Sequence, residues 1–291
     1  MTLPALAVAN SGWGGRGYRN PVNGSKRVVP SVTTVLKAEN KPALIQWSVD
    51  QTAGFAIANA HRLLTMSDAS AFKMLRYLPK QVKGFEPGLD LNSYHSGVLD
   101  DASEMGSWTH EYIQADVPGS RLAYPDADLA HDSHWQMVAQ WEKFKSEHDI
   151  RPHYTERTVW NDEAGYAGTL DGLWEFDGKM CLMDIKTSRG LYTSTWMQLA
   201  ALFNSPEMFV PQDDDSYIAV RDWQAPVEEV GVLHIRPDDV RWDGAPMDAF
   251  CKWVPAQNLD LHFRAFKGLL AYGEAQRDVR LAERLREKLN G

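Results

Sequence analysis

Two aspartates and a lysine in the stretch Ala167 to Thr187, AGTLDGLWEFDGKMCLMDIKT, are the residues of this chain best placed to do chemistry together. Asp177-Gly178 is a dipeptide favoured by two-residue type I′ turns, so the stretch reads as a β-hairpin. A turn there sets Asp171 opposite Asp184 and Thr169 opposite Lys186. Directly opposed side chains stand roughly 4.5 to 5.5 Å apart at Cβ. Alternation puts Asp171, Asp184 and Lys186 on one face, and Leu170, Trp174, Phe176, Cys181, Met183 and Ile185 on the other, which is expected to be the core. Like charges across a sheet repel, so a chain that keeps both carboxylates there calls for a cation between them. The hairpin therefore predicts a metal site. Hard oxygen donors suit Mg²⁺ or Mn²⁺, and a lysine beside such a cation should lose proton affinity, which fits it to activate water.

These residues resemble the PD-(D/E)XK nucleases, in the branch that includes the RecB nuclease domain and phage-type exonucleases. The resemblance rests on Gly168-Thr169-Leu170-Asp171 followed, after twelve intervening residues, by Asp184-Ile185-Lys186-Thr187. Gly106-Ser107-Trp108-Thr109-His110 is similar to the branch's upstream glycine-to-histidine helix motif, and Gln198 to the glutamine on the helix after the lysine strand. Val29 to Leu36, with Lys41-Pro42 and Trp47 behind it, is similar to the amino-terminal segment of the phage-type members. The matches span about 30 to 200. The resemblance implies a restriction-endonuclease-like α/β fold, a central mixed sheet flanked by helices. It implies Mg²⁺ or Mn²⁺ on Asp171, Asp184, His110 and the Ile185 carbonyl, with Lys186 positioning or deprotonating the attacking water. Glu156 stands where relatives often carry an acid, and is equally readable as a surface strand residue. Gln198 could orient water or phosphate, or serve a hydrogen-bond network.

The implied activity is divalent-metal-dependent DNA cleavage, as an exonuclease on linear, single-stranded or frayed ends in recombination, replication or repair. An endonuclease of the same fold and a non-catalytic DNA-binding subunit are the alternatives. DNA is the expected partner, with a recombination or replication protein as a further one. Ser31 and Thr33, at a helix start, are candidate phosphate contacts, although capping explains Ser31 as well. Trp108 is the candidate base-stacking ring among eleven tryptophans.

Composition bounds the rest. With 291 residues and 44% hydrophobic content the chain can bury a full core. Two cysteines cannot hold a four-cysteine iron-sulfur cluster, so none is expected. No apolar run approaches a membrane span, and Leu3 to Ala9 has no basic region before it, so the expected location is the cytoplasm, the host's if the chain is phage-encoded. The net charge of −9 is unusual for a DNA partner, but metal-binding acids contribute to it. Lys73, Arg76, Lys80 and Lys83, and Arg277 to Lys288, form basic helical clusters that read first as solvated faces.

The elements that must position the site are read as an aperiodic arm over 1–27 and a single nuclease domain over 28–291. Within it, 28–150 is helical, 151–250 is the catalytic sheet core and 251–291 is helical. Strands are expected near 153–161, 167–176, 179–187, 215–222 and 228–235, with a helix near 192–204. Gly12, Gly14 and Gly17 spell G-x-G-x-x-G, but no strand precedes them, so a dinucleotide site is rejected.

Overall fold

Strand periodicity, two-residue turn chemistry and amphipathic helices combine into an α/β architecture with one large mixed sheet. The computed structural model describes residues 6–8, 13–39, 91–120, 122–240 and 245–290. The chain divides into two compact units, one of Met1–Glu39 with Trp108–Gly291 and one of Asn40–Ser107. The expected helices around Leu44, Trp47 and Phe55 and over 68–78, with the Lys73 to Lys83 cluster, lie outside the described residues.

In chain order the elements are β1 (Ala7–Val8), β2 (Gly17–Arg19), β3 (Val28–Pro30), α1 (Val32–Leu36), α2 (Leu91–Asp116), α3 (Asp132–Glu147), β4 (Ile150–Asn161), β5 (Tyr166–Phe176) and β6 (Lys179–Lys186). Then follow α4 (Thr193–Phe203), β7 (Glu207–Pro211), β8 (Tyr217–Arg221), β9 (Glu229–Arg236), β10 (Asp239–Val240), β11 (Pro246–Met247), β12 (Phe250–Pro255) and α5 (Leu259–Asn290). The large sheet has the order β12-β9-β6-β5-β4-β7-β8. Only β6 and β9 pair in parallel, joined through α4, β7 and β8, which makes the sheet mixed.

Three expectations change. Residues 13–30 are not a loose arm: β1, β2 and β3 form a small sheet, and Tyr18 is fully buried with Val29, Trp160, Ala167 and Phe209. Tyr18 supplies the reason, since one large aromatic ring anchors a Gly-rich segment that has no apolar periodicity of its own. Phe250–Pro255 is a strand, not part of the terminal helices, because its alternating residues pair along β9. β7 lies between the expected helix and strand as a further member of the sheet.

The second correction of substance concerns the hairpin faces. The Trp174 face is core, with Trp174 6.3 Å from Trp141 of α3 and Phe176 6.0 Å from Phe144. The Asp184 face is core as well: Leu173 and Leu182 pack with Leu199 and Leu202 of α4 and Phe266 of α5. Leu170 joins this α4 side rather than the Trp174 side. The alternation resets at the Glu156/Asp171 step, where Thr155↔Gly172 and Arg157↔Leu170 pair but the step between them does not. A sheet covered on both faces leaves its carboxylates in a low-dielectric setting, and this dominates the site chemistry.

α2 is tied to α3 through Asp116, whose carboxylate accepts from Trp141 Nε1 at 2.8 Å, from Tyr124 Oη at 2.8 Å and from Lys145 Nζ. Burial alone would raise the Asp116 pKa, but these donors outweigh it and hold the carboxyl below its ordinary value. A depressed carboxyl stabilises the fold above its unfolded pKa of about 4, and that contribution is lost as pH falls through the lower folded value. Asp116→Ala strands an indole N–H and leaves Lys145 with Glu142 as its remaining carboxylate, so a loss of about 2 kcal/mol is expected in urea unfolding at pH 7. The difference from the parent should shrink as pH falls below about 4. A constant difference from pH 7 to pH 3 would show that the carboxylate charge is not what stabilises this joint.

Candidate active site

The hairpin turn has the backbone that its sequence demands. Asp177 and Gly178 sit at φ 50° and 83°, the paired positive values of a type I′ turn. The Asp177 carboxylate is fastened by His148 Nδ1 at 2.7 Å and by the Asp149 amide at 2.8 Å. From this turn the register runs as expected, Phe176↔Lys179 through Gly172↔Met183. One step further the backbone ladder gives way to a side chain: Asp171 Oδ2 accepts the Ile185 amide at 2.8 Å.

Around that point the expected metal-ligand atoms gather. Asp184 is fully buried; Gln198 Nε2 donates to its Oδ1 at 3.0 Å, and Lys186 Nζ stands 2.5 Å from its Oδ2 as an ion pair without hydrogen-bond geometry. His110 Nε2 is 2.5 Å from the Ile185 carbonyl oxygen, and its Nδ1 is 3.5 Å from Asp171 Oδ2. Burial lowers the His110 pKa, partly offset by Asp171, and thus favours the neutral ring. A neutral ring that donates Nε2–H to Ile185 leaves the Nδ1 lone pair beside a carboxylate oxygen. Acceptor then faces acceptor, an arrangement relieved by a proton or a cation.

The carboxyls report the same excess of negative charge. Asp184 is pushed up to about 7, by burial first and by Asp171 against the lowering influence of Lys186. Glu156 is also pushed up to about 7, by burial and then by Asp171. Lys186 is the counter-charge in this arrangement: burial would lower its pKa, yet Asp184 and Asp171 outweigh burial and hold it above the ordinary lysine value. Among the described residues no three His, Cys, Asp or Glu side chains form a ready cage for a metal ion. The donors that do meet, two carboxylates, one imidazole and one main-chain carbonyl, are of a kind that suits a hard divalent cation. Asp184 Oδ2, buried against the Lys186 ammonium at 2.5 Å, is an oxygen of that kind.

Beside this group opens a cleft of about 140 Å³, lined among others by Arg16, Thr33, Glu156, Thr169, Asp171 and Gln198. Its floor explains the glycine of G-T-L-D. A Cβ on Gly168 would come 2.5 Å from Leu202 of α4 and 3.1 Å from Val32 of α1, so only a hydrogen lets both helices sit on the strand. Glu156 reaches the cleft from a left-handed backbone, φ 52°, at the unpaired step of β4, and Gln114 Nε2 of α2 donates to its Oε1 at 2.6 Å.

Sequence reasoning missed Arg16 and Gln114. Arg16 is held through its backbone: its carbonyl accepts from the Ser31 amide at 3.0 Å and from Thr34 Oγ1 at 2.7 Å, while its Nη2 donates to Thr33 Oγ1 at 3.4 Å. A lone arginine in a Gly-rich segment carries no sequence signal of such a place. Gln114, one helical turn after His110, likewise carries no sequence signal of its partner Glu156.

Burial bears on two proposed nucleic-acid contacts. Ser31 stands at the cleft but is fully buried and caps α1, its Oγ accepting from the Thr34 amide at 3.0 Å. Trp108 is 7% exposed, donates Nε1 to the Asp126 carbonyl at 2.9 Å and packs against Tyr112, His134 and Trp135. Its ring is used by the core. Thr33, in contrast, is exposed at the cleft. No protein-family profile and no curated protein matches this chain.

A non-glycine residue in the left-handed region costs about 1 kcal/mol. Glu156→Gly relieves that cost and Glu156→Ala does not, although both remove the carboxylate. In urea unfolding the glycine variant should therefore be the more stable of the two by about 1 kcal/mol. The reverse order would remove the strain from this position.

Proposed function

We propose that this chain is a divalent-metal-dependent deoxyribonuclease of the PD-(D/E)XK type, acting as an exonuclease on linear DNA ends in recombination, replication or repair. The observation that carries the reading is His110 placed between Asp171 and the Ile185 carbonyl, with Asp171 on the Ile185 amide and the neighbouring Asp184 carrying Lys186 and Gln198. Mg²⁺ or Mn²⁺ held by those donors would neutralise charge on a phosphodiester and lower the pKa of water.

The chain's own residues have separable tasks in this scheme. Gln198 fixes one oxygen of Asp184, which leaves the other for a positive partner. Lys186, paired with Asp184, stands beside the oxygens that would hold the cation and would hold or accept the proton of a water there. Arg16 and Thr33 supply a guanidinium and a hydroxyl on the cleft wall, donors suited to a phosphate oxygen. Glu156, with a pKa raised to about 7, can carry a proton near neutral pH at the same wall. Of the helical portion expected over 28–150, residues 40–90 lie outside the described residues. The two cysteines, Cys181 buried and Cys251 partly buried, have no part in the scheme. Among the described residues no helix is long and apolar enough to cross a membrane.

With Mg²⁺ or Mn²⁺, linear single strands should be degraded to short products and covalently closed circles should persist. Asp184→Asn should abolish cleavage while thermal unfolding stays cooperative, because shape is kept and a ligand charge is lost. Full cleavage by Asp184→Asn would overturn the site, and circles cut as fast as linear strands would replace the exonuclease by an endonuclease. His110→Ala separates ligand from packing residue. The Mn²⁺ concentration for half-maximal rate should rise on the order of tenfold if a ligand is lost. An unchanged titration would return His110 to packing.

A further inference from the structure

The cleft wall with Arg16 is one basic feature of the sheet's open end; a second lies on the other side of Lys186 and has no role in the scheme above. β6 and β9 are the parallel pair of the sheet, with Lys186 beside His234 in register, so the loops that leave their carboxyl ends lie next to each other. In open α/β sheets that crevice is the common place for ligands. Here it carries two arginines. Arg236, whose side chain is 8% exposed, donates Nη1 to the Thr187 carbonyl at 2.7 Å and Nη2 to Asp239 Oδ2 at 2.7 Å. Its buried Nε has no hydrogen-bond partner. Arg189, 61% exposed, lays Nε and Nη2 on the two oxygens of the same Asp239 at 2.9 and 2.7 Å. Its third nitrogen, Nη1, is not used in that pair.

Two guanidinium groups, one of them three residues after Lys186, thus share the Asp239 carboxylate. Burial lowers the Arg236 pKa, offset by Asp239, and nearby Arg189 lowers it further. A carboxylate that grips a guanidinium along one edge also fixes its plane and presents the opposite edge, which is the geometry for a second oxyanion. Tyr192, more than half exposed at the start of α4, lies near enough to Arg236 to influence its charge. The observed fork, the Arg189 nitrogen not used in that pair and the place at the carboxyl ends of the parallel strands point to one ligand chemistry.

We propose that Arg189 and Arg236, oriented by Asp239, form a phosphate subsite that holds a backbone phosphate of the nucleic-acid strand on the far side of Lys186 from the Arg16 cleft. The proposal rests on the nuclease reading and extends it, because it gives the bound strand a second anchor. With anchors on both sides of the scissile phosphate, the strand cannot pivot about the metal centre. The competing explanation is purely structural: the two ion pairs pin the loop after Lys186. The two differ in sign at Asp239. If Asp239 only pins the loop, removing its charge harms the site as much as removing Arg189 does. If it orients donors for a phosphate, removing its charge leaves more positive potential for the strand.

The test is fluorescence anisotropy of a labelled single-stranded oligonucleotide, in EDTA to prevent turnover, over a series of salt concentrations. Wild-type protein, Arg189→Ala, Arg189→Glu and Asp239→Asn are compared, with cleavage by wild-type protein in Mg²⁺ and Mn²⁺ measured in parallel. Arg189→Ala should weaken binding on the order of tenfold at low salt. It should also reduce the slope of log affinity against log salt by about 0.7, the loss of one phosphate contact on a single strand. Arg189→Glu should weaken binding further, and Asp239→Asn should bind at least as tightly as wild type. Unchanged affinity and slope in Arg189→Ala, or a loss in Asp239→Asn equal to that in Arg189→Ala, overturns the subsite. Because Arg189 is mostly exposed, its variants should fold, so the result does not depend on how Asp239→Asn behaves. Should wild-type protein neither bind nor cut the strand, the nuclease reading falls and the subsite with it. If wild type binds and cuts while Arg189→Ala matches it, the subsite alone is wrong.

Discussion

A fully buried carboxylate, Asp184, with a second acid across the strand pair is the constraint around which this structure is arranged. Burying one unpaired charge is expensive, and burying it next to another of the same sign is more so. Lys186 meets part of the demand, and Gln198 supplies one donor to Asp184, but the pKa of Asp184 still rises to about 7. Glu156, pushed to the same value, shows that the surplus is shared across the cleft. A protein selected only for stability would replace such a group by an apolar residue of similar size. Keeping it makes physical sense where a cation with charge above that of lysine is bound at some stage of the protein's work.

The surroundings follow from the same demand. The sheet is covered on both faces, by α3 on one and by α4 and α5 on the other, which supplies the rigidity that holds a charged group in a low-dielectric position. α2 reaches in from the side with His110 on the Ile185 carbonyl and Gln114 on Glu156, two contacts one helical turn apart. β4 departs from the ladder at Glu156, and the left-handed residue there delivers its carboxyl to the cleft. Strain at that step and buried charge at Asp184 are both costs in stability concentrated in one place, and that concentration is the physical signature of a functional site.

Much of the chemistry was legible because the hairpin is a local object. The type I′ preference of Asp177-Gly178 sets the register, and register alone puts Asp171, Asp184 and Lys186 within reach of one another. The expectation for the opposite face was right for Trp174 and Phe176 and wrong for Leu170, because alternation assumes an unbroken ladder and no local signal marks Glu156 as left-handed. Ser31 shows the limit from another side: a hydroxyl at a helix start is readable, but whether it caps a helix or faces a ligand depends on what packs over it. Trp108 is the same case, an aromatic whose burial depends on Tyr112, His134 and Trp135 from two helices.

By itself the sequence determined the turn, the strand register, the helix over Thr193–Phe203 and the identity of the acids and the lysine, since each depends on residues within about a dozen positions of one another. Only the tertiary structure decided that Arg16 and Thr33 would line the cleft beside Asp171, that Gln114 would meet Glu156, and that Arg189 and Arg236 would share Asp239. Those meetings join residues forty or more positions apart in most cases, and nothing in the local sequence encodes which distant partner a side chain will find. They follow instead from the order of strands in the sheet, with β6 and β9 made neighbours by a crossover that the packing of α4 enforces. Chain proximity sets the chemistry of the hairpin, while long-range packing sets which charges surround it, because electrostatic environment is a property of everything within several ångströms and not of the chain.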